Sequence, residues 1–358
     1  MIEKKSVMES NSLVSIIINN YNYDRFLAQA IDSALSQTYL HTEVIVVDDG
    51  STDGSRDIIA GYGERIIPVL QENGKQGAAF NNGFAHSHGD IIIFLDSDDY
   101  LFSEAVDRIV AVWQPEIAKV HYRLAVIDGD GNDRGFSYPQ GSAPLATGEV
   151  WRSLLKVGTY CGTPTSGNAL SRKALSQVMP IPLEYRSTSD DYLSVLMPLY
   201  GSVLAIEEPL GAYRIHTNNQ WAIATVSSDR YRRFVNHDLQ RCDLITQRAT
   251  ALGYEVPDDL NLRFFGRAWS RLASLRLDPQ NHPVSTDRAL SLSYSGILAL
   301  WRFSAYNVQK RLIYSLWFIW VGVMPLPLAE PAITWLFAPQ FRPKFVGQTL
   351  KKIRALVS

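Results

Sequence analysis

Three short runs in the first hundred residues are almost wholly apolar and β-branched: Val14 to Ile18, Glu43 to Val47 and Ile91 to Leu95. A run of that length without polar alternation is what a strand buried on both faces requires. Each run ends abruptly. VSIII passes into Asn19, Asn20, Tyr21 and Asn22, EVIVV into Asp48, Asp49, Gly50 and Ser51, and IIIFL into Asp96, Ser97, Asp98 and Asp99. Between the first two lies a helical stretch, Phe26 to Ser36, with Asp24 placed to cap it. Ser51 and Asp53 are placed to cap the helix after the second. Strand and helix alternating in this way predict an α/β domain with a parallel, helix-covered sheet. The polar residues after each run would share its carboxyl edge, where open α/β sheets bind ligands.

Later the pattern changes period. Asp229 to Leu252 and Asp259 to Leu275 read as helices, studded with Arg230, Arg232, Arg233, Arg241, Arg263, Arg267 and Arg271, most of them expected on a solvated face. Leu312 to Ala329 carries no charge, follows Lys310 and Arg311, and is interrupted by Pro325 and Pro327. A further apolar piece, Ala332 to Ala338, leads to Arg342 and Lys344. A spanning helix needs about 20 apolar residues. The pattern therefore favours an in-plane or re-entrant helix pair on an anionic membrane, with Trp317, Trp320 and Trp335 at headgroup level. The alternatives are a buried pair at a dimer interface, or one packed under the first domain. The resulting division is a disordered tail at 1–11, an α/β domain at 12–225, a helical extension at 226–305 and an apolar, basic segment at 306–358.

Composition adds three constraints. The chain has 358 residues, 46% of them apolar, enough for a full core plus a smaller unit. Its net charge of −2 conceals a division: from Ser228 onward 18 Lys and Arg face 9 Asp and Glu, a formal +9, and the preceding part is −11. An acidic front suits a metal, a basic back suits a phosphate-bearing surface, and no nucleic-acid partner is expected. The two cysteines, Cys161 and Cys242, lack ligand spacing and are expected as buried thiols in a reducing compartment. MIEKKSVMESNS has no apolar core of a secretory signal. A dinucleotide-binding dehydrogenase is excluded, because the turn after the first run reads INNYNYDRF and holds no glycine.

The acids after Leu95 carry the chemistry. Hard cations such as Mg2+ and Mn2+ prefer carboxylate oxygen, and a nucleoside diphosphate needs such an ion to offset its charge. VSIIINNYN, AIDSALSQTY, EVIVVDDGSTDGS and QENGKQGAAFNNGFAHSHGDIIIFLDSDDYL, in that order, resemble the family 2 glycosyltransferases over roughly residues 12 to 220. The resemblance implies a GT-A fold, a Rossmann-like mixed sheet followed here by a helical C-terminal region. It implies an inverting enzyme that moves a sugar from a nucleotide-sugar, most simply a UDP-sugar, to an acceptor hydroxyl on a saccharide or lipid-linked acceptor. The setting would be cell-surface polysaccharide or glycolipid synthesis at the inner face of the membrane. The other reading is a non-catalytic nucleotide-sugar-binding or scaffold protein on the same fold.

Residue by residue, the resemblance gives Asn20, Tyr21, Asp49, Asn73, Gly77, Asp96, Ser97 and Gly167 to the donor. Asp49 would accept from a uracil imide, and Gly167 would allow close backbone approach. It gives Mn2+ or Mg2+ to Asp98 and His216, with Asp99 a second candidate ligand, and the base role to Asp191 in SDDYLSVL. Asp190 would orient or cap, Asp48 would hold its loop, and Arg214 would pair with phosphate or Asp191. Phe80 departs from the family, where many relatives carry an arginine before the asparagine matching Asn81.

Overall fold

The apolar runs become strands because branched side chains fill both faces of one sheet. In the computed structural model they are β1 (Val14–Asn20) and β2 (Thr42–Asp49), then, after β3 (Ile67–Gln71), β4 (Ile91–Asp96). Residues 12–141, 143–216 and 227–337 are described. The expected N-terminal tail, Arg342 and Lys344 lie outside them. The pattern did not reveal β3, whose IPVLQ contains a proline and buries only Val69, as suits an edge strand. β1 pairs in parallel with β2 and β4, and β2 with β3. That register sets Asn20 opposite Asp48 and Asn19 opposite Asp96. The polar ends of the three apolar runs therefore meet at one sheet edge.

Helices α1 (Asp24–Leu35), α2 (Ser55–Tyr62) and α3 (Gln76–His86) make the crossovers. The expected caps differ in detail. Asp24 is the first residue of α1 rather than its cap, and its carboxylate accepts from the Gly54 N–H at 3.1 Å. Asp53 accepts from the Asp24 N–H and the Ser55 N–H, both at 3.0 Å, so the starts of α1 and α2 satisfy one another. Ser51 instead accepts from Asn20 and from the Asn22 N–H.

Parallel pairing stops at β4. β5 (Tyr100–Leu101), α4 (Ala105–Ala111), β6 (Ile117–Asp128), β7 (Asp133–Tyr138) and α5 (Trp151–Val157) follow. Next come β8 (Asn168–Ser171), α6 (Arg172–Leu175), α7 (Ser189–Leu196) and β9 (Ser202–Ile215). β8 runs antiparallel to both β4 and β6, whereas β9 is parallel to β6. The sheet is mixed, in the order β3-β2-β1-β4-β8-β6-β9-β5 with β7 on β6.

Lys119 and His121 share one face of β6, and both are buried. Lys119 Nζ donates to Tyr160 Oη at 3.1 Å, and His121 Nε2 donates to the Ala146 carbonyl at 2.7 Å, which places a hydrogen on Nε2. Burial first, and then the Lys119 charge, push this histidine from 6.5 down to about 3. The unfolded imidazole takes up its proton near pH 6.5 and the folded one only near pH 3, so this contribution is complete above the upper value. It is lost as pH falls through the window, at about 1.4 kcal/mol per pH unit. Urea midpoints recorded from pH 7 to pH 4 are expected to fall more steeply in the native chain than in His121→Gln; parallel slopes would contradict the assignment.

The chain divides into two units, residues 1–154 with 160–219, and residues 155–159 with 220–358. The second is helical: α8 (Ser228–Ala251), α9 (Phe265–Leu277), α10 (Ala289–Phe303), α11 (Val308–Val323) and α12 (Leu326–Phe337). Tyr231, Leu272, Leu300, Phe318 and Ile333 meet in its core. Two of the arginines expected in solvent are buried here. Arg267 donates to the carbonyls of Val157, Gly158 and Leu260, and Arg271 pairs with Asp287. A guanidinium enters a core when such acceptors satisfy its fork. Cys242 is buried and Cys161 partly so, both as free thiols.

The apolar segment breaks at Pro325, between α11 and α12. No helix among the described residues is long and apolar enough to cross a membrane. Trp317 is partly buried against the core, and its indole N–H reaches the Ala332 carbonyl at 2.9 Å.

Candidate functional site

The turn after β4 is fastened from four directions. Asp96 accepts from Asn19 at 2.9 Å and from Gln76 at 3.3 Å. Ser166 receives the Asp96 N–H at 3.1 Å and donates to Asp99 at 2.6 Å, while the Arg214 N–H reaches the other Asp99 oxygen at 2.9 Å. Asp99 is thus buried with both oxygens engaged, and it anchors the turn. Ser97 is buried within it. Asp98 keeps its carboxylate toward β9, where His216 Nε2 lies 2.9 Å from its Oδ2.

Arg214 does not reach these carboxylates with its guanidinium. It donates to the Asp98 carbonyl at 2.9 Å and to Gln29 at 2.6 Å, and it lies over the Phe26 ring. Burial, and then the neighbouring Asp98, push Asp96 and Asp99 well above the usual carboxylate range. Burial and the same acids raise Tyr23 and Tyr213. Three carboxylates gather here, and among the described residues no guanidinium pairs with any of them, so each disfavours the ionisation of its neighbours. The rings of Tyr23 and Phe26 flank His216 at 5.6 and 5.4 Å between centroids.

Asp98 offers a hard carboxylate that suits Mn2+ or Mg2+, and the His216 imidazole beside it favours the transition metal of the two, Mn2+. Among the described residues no third His, Cys, Asp or Glu completes a cluster around one point. The pair fits an ion that draws its remaining ligands from phosphate oxygens and water, the usual manner for Mg2+. The two side chains, now bonded to each other, would have to part to admit it.

Along the same edge, Tyr21 stands exposed at the end of β1. Asn20 is buried, and its amide nitrogen donates to Asp48 and Ser51. Asp48 also takes the Ser51 N–H and Arg56; burial raises it, but these bonds prevail and hold it below the usual range. Asp49 uses Oδ1 to fix Gln71 at 2.6 Å and the Gly74 N–H at 2.7 Å, which ties β2 to the Asn73 loop. A Cβ on Gly50, where φ is +79°, would lie 2.8 Å from the Asn73 nitrogen, so only glycine lets that loop close.

The start of α7 joins this edge through α3. Ser189 donates to Gln76 at 2.7 Å, and Gln76 in turn donates to Asp96. Gly77 gives its N–H to the Arg186 carbonyl at 2.9 Å, with space there for no Cβ. Asp190 borders a small recess with Thr165, Asn168 and Lys119, close enough to Asp96 to raise its pKa; Asp191 is the next residue of the same first turn. Phe80 is buried and stacks on Phe94 at 4.2 Å, which accounts for an apolar residue at this position.

Gly167 is closely approached from within the protein. A Cβ there would lie 2.8 Å from Thr163 Cβ and 2.9 Å from the Tyr122 carbonyl oxygen. Gly167→Ala is expected to cost about 1–3 kcal/mol through overpacking, seen as a lower Tm; an unchanged melting curve would contradict it. Sequence reasoning missed Gln76 and Ser166. Both are polar residues beside motif positions, and only the fold shows that they hold the acids.

The sequence profile described as glycosyl transferase family 2 matches residues 15–166. An uncharacterized glycosyltransferase of Nostoc sp. is 38% identical over 225 residues, 61% of this chain and 69% of that protein. A Bacillus subtilis protein named for teichuronic acid biosynthesis, the glycosyltransferase TuaG, is 28% identical over 62% of this chain and 87% of its own length. Among solved structures, S. aureus TarS in complex with UDP-GlcNAc has the same fold, with TM-score 0.55 and 15% identity over 90% of this chain and 91% of that one.

Proposed function

The chain belongs to the family 2 glycosyltransferases, with a GT-A sheet, and we propose that it transfers a sugar from a nucleotide-sugar to an acceptor hydroxyl with inversion of configuration. One observation carries this reading. Asp98 and His216, 118 positions apart, meet at 2.9 Å on the acid turn, at the edge that also holds Tyr21 and Asp49.

In this reading Asp98 and His216 would hold a divalent ion. When bound, that ion offsets the charge left on the departing nucleoside diphosphate. Tyr21 and the Asp49 to Asn73 corner border the base. Asp96, fixed by Asn19 and Gln76, faces the ribose or sugar. Asp191, at the start of α7, takes the proton from the acceptor hydroxyl. The oxygen then attacks the anomeric carbon from the face opposite the diphosphate, the C–O bond to the leaving group breaks, and configuration inverts. A single displacement needs no carboxylate nucleophile. UDP-GlcNAc in the TarS complex favours a UDP-sugar donor, and the name of TuaG favours a cell-surface polysaccharide or lipid-linked acceptor.

The test is release of nucleoside diphosphate from a panel of UDP-, GDP- and dTDP-sugars with Mn2+, across saccharide and lipid-linked acceptors. Turnover with one donor class is expected. Tight nucleotide binding with no turnover on any acceptor would support a binding or scaffold role instead.

A further inference from the structure

Helix α11 is apolar on two sides. Ser315, Phe318, Val321 and Gly322 face the core of the helical unit. Val308, Leu312, Leu316, Ile319 and Val323 recur at helical spacing on another side, each at least half exposed. α10 repeats the arrangement with Leu290, Tyr294 and Trp301 exposed. The two stripes adjoin. Ser293 donates to the Phe318 carbonyl, and Trp301, exposed on α10, donates to Ser315 of α11 at 3.1 Å. Trp320, also exposed, donates to the Leu328 carbonyl at 2.9 Å. Both indole N–H groups are thus satisfied within the protein, so these rings can leave water without losing a hydrogen bond.

We propose that this face of α10 and α11 docks on the surface of an anionic lipid bilayer. Charge selects the occupant. From Arg288 to Ala329 the chain has no Asp or Glu and four Lys or Arg, and Arg288, Arg302 and Lys310 are exposed. Such a face offers a second copy of itself no opposite charge, whereas lipid phosphate supplies it. An apolar stripe with aromatic residues and flanking cations is the composition of a helix lying in the headgroup region. The surface is independent of the donor-site reading.

The test is flotation of the full chain with vesicles of phosphatidylcholine alone and of phosphatidylcholine with phosphatidylglycerol, roughly 7:3, at low and high salt. The chain is expected to float with the anionic vesicles and less with the neutral ones. Leu312→Glu with Leu316→Glu should lower the bound fraction about tenfold. Arg302→Glu with Lys310→Glu should remove the preference for phosphatidylglycerol, and Leu40→Glu, at an exposed site in the other unit, should change nothing. Circular dichroism establishes that each variant is folded. The proposal is overturned if the native chain does not float, or if the folded leucine variant floats as well as the native chain. It is equally overturned if light scattering finds a dimer that the leucine variant dissociates while neither form binds vesicles.

Discussion

Asp191→Asn is expected to leave donor binding unchanged and to lower kcat by about 10³-fold, within the range of about 10²–10⁴ for loss of a general base. The amide keeps the shape of the carboxylate but cannot take a proton. Calorimetric titration with the nucleotide-sugar would give the same Kd, while nucleotide release in the presence of acceptor would nearly stop. Asp190 is the internal control. It lies against the recess beside Asp96 and one step around the same helical turn, so it cannot present its carboxylate in the direction of Asp191. Asp190→Asn should therefore shift KM more than kcat. If Asp190→Asn abolishes transfer while Asp191→Asn retains it, the base is Asp190.

The second large effect belongs to Asp98. Asp98→Asn removes the anionic partner of His216, and Asp99 cannot replace it, being committed to Ser166 and the Arg214 N–H. Donor affinity in Mn2+ should fall at least about 10²-fold, with transfer falling further, because one preorganised charge contact at a leaving group is worth that much. Chelation by EDTA should bring the native chain down to the level of the variant and leave the variant unaffected. Retention of donor affinity in Asp98→Asn would remove Asp98 from the diphosphate site.

Buried β-branched runs and their polar ends are visible in one dimension, which is why β1, β2, β4 and the edge they share were legible. The pairing of Asp98 with His216 was legible only through the resemblance, since no local pattern links residues 118 positions apart. Other features had no signature. β3 is half exposed and interrupted by Pro68, so it lacks the continuous apolar run. β8 is four residues long, and its antiparallel course depends on pairing with β4 and β6 rather than on its own composition. Arg267 and Arg271 read as surface residues because charge predicts exposure; backbone carbonyls and Asp287 made burial tolerable, and those acceptors are distant in sequence. Gly167 shows the reverse. Its small size was legible as close approach, but not the neighbours within the protein that require it, Thr163 and the Tyr122 carbonyl.

The most direct measurement is Mn2+-dependent nucleotide release by the native chain, Asp98→Asn, His216→Ala and the double variant. If the two side chains act on one ion, the double variant is no worse than the more impaired single, and EDTA changes neither. Losses that multiply, or native turnover that survives EDTA, would contradict the account.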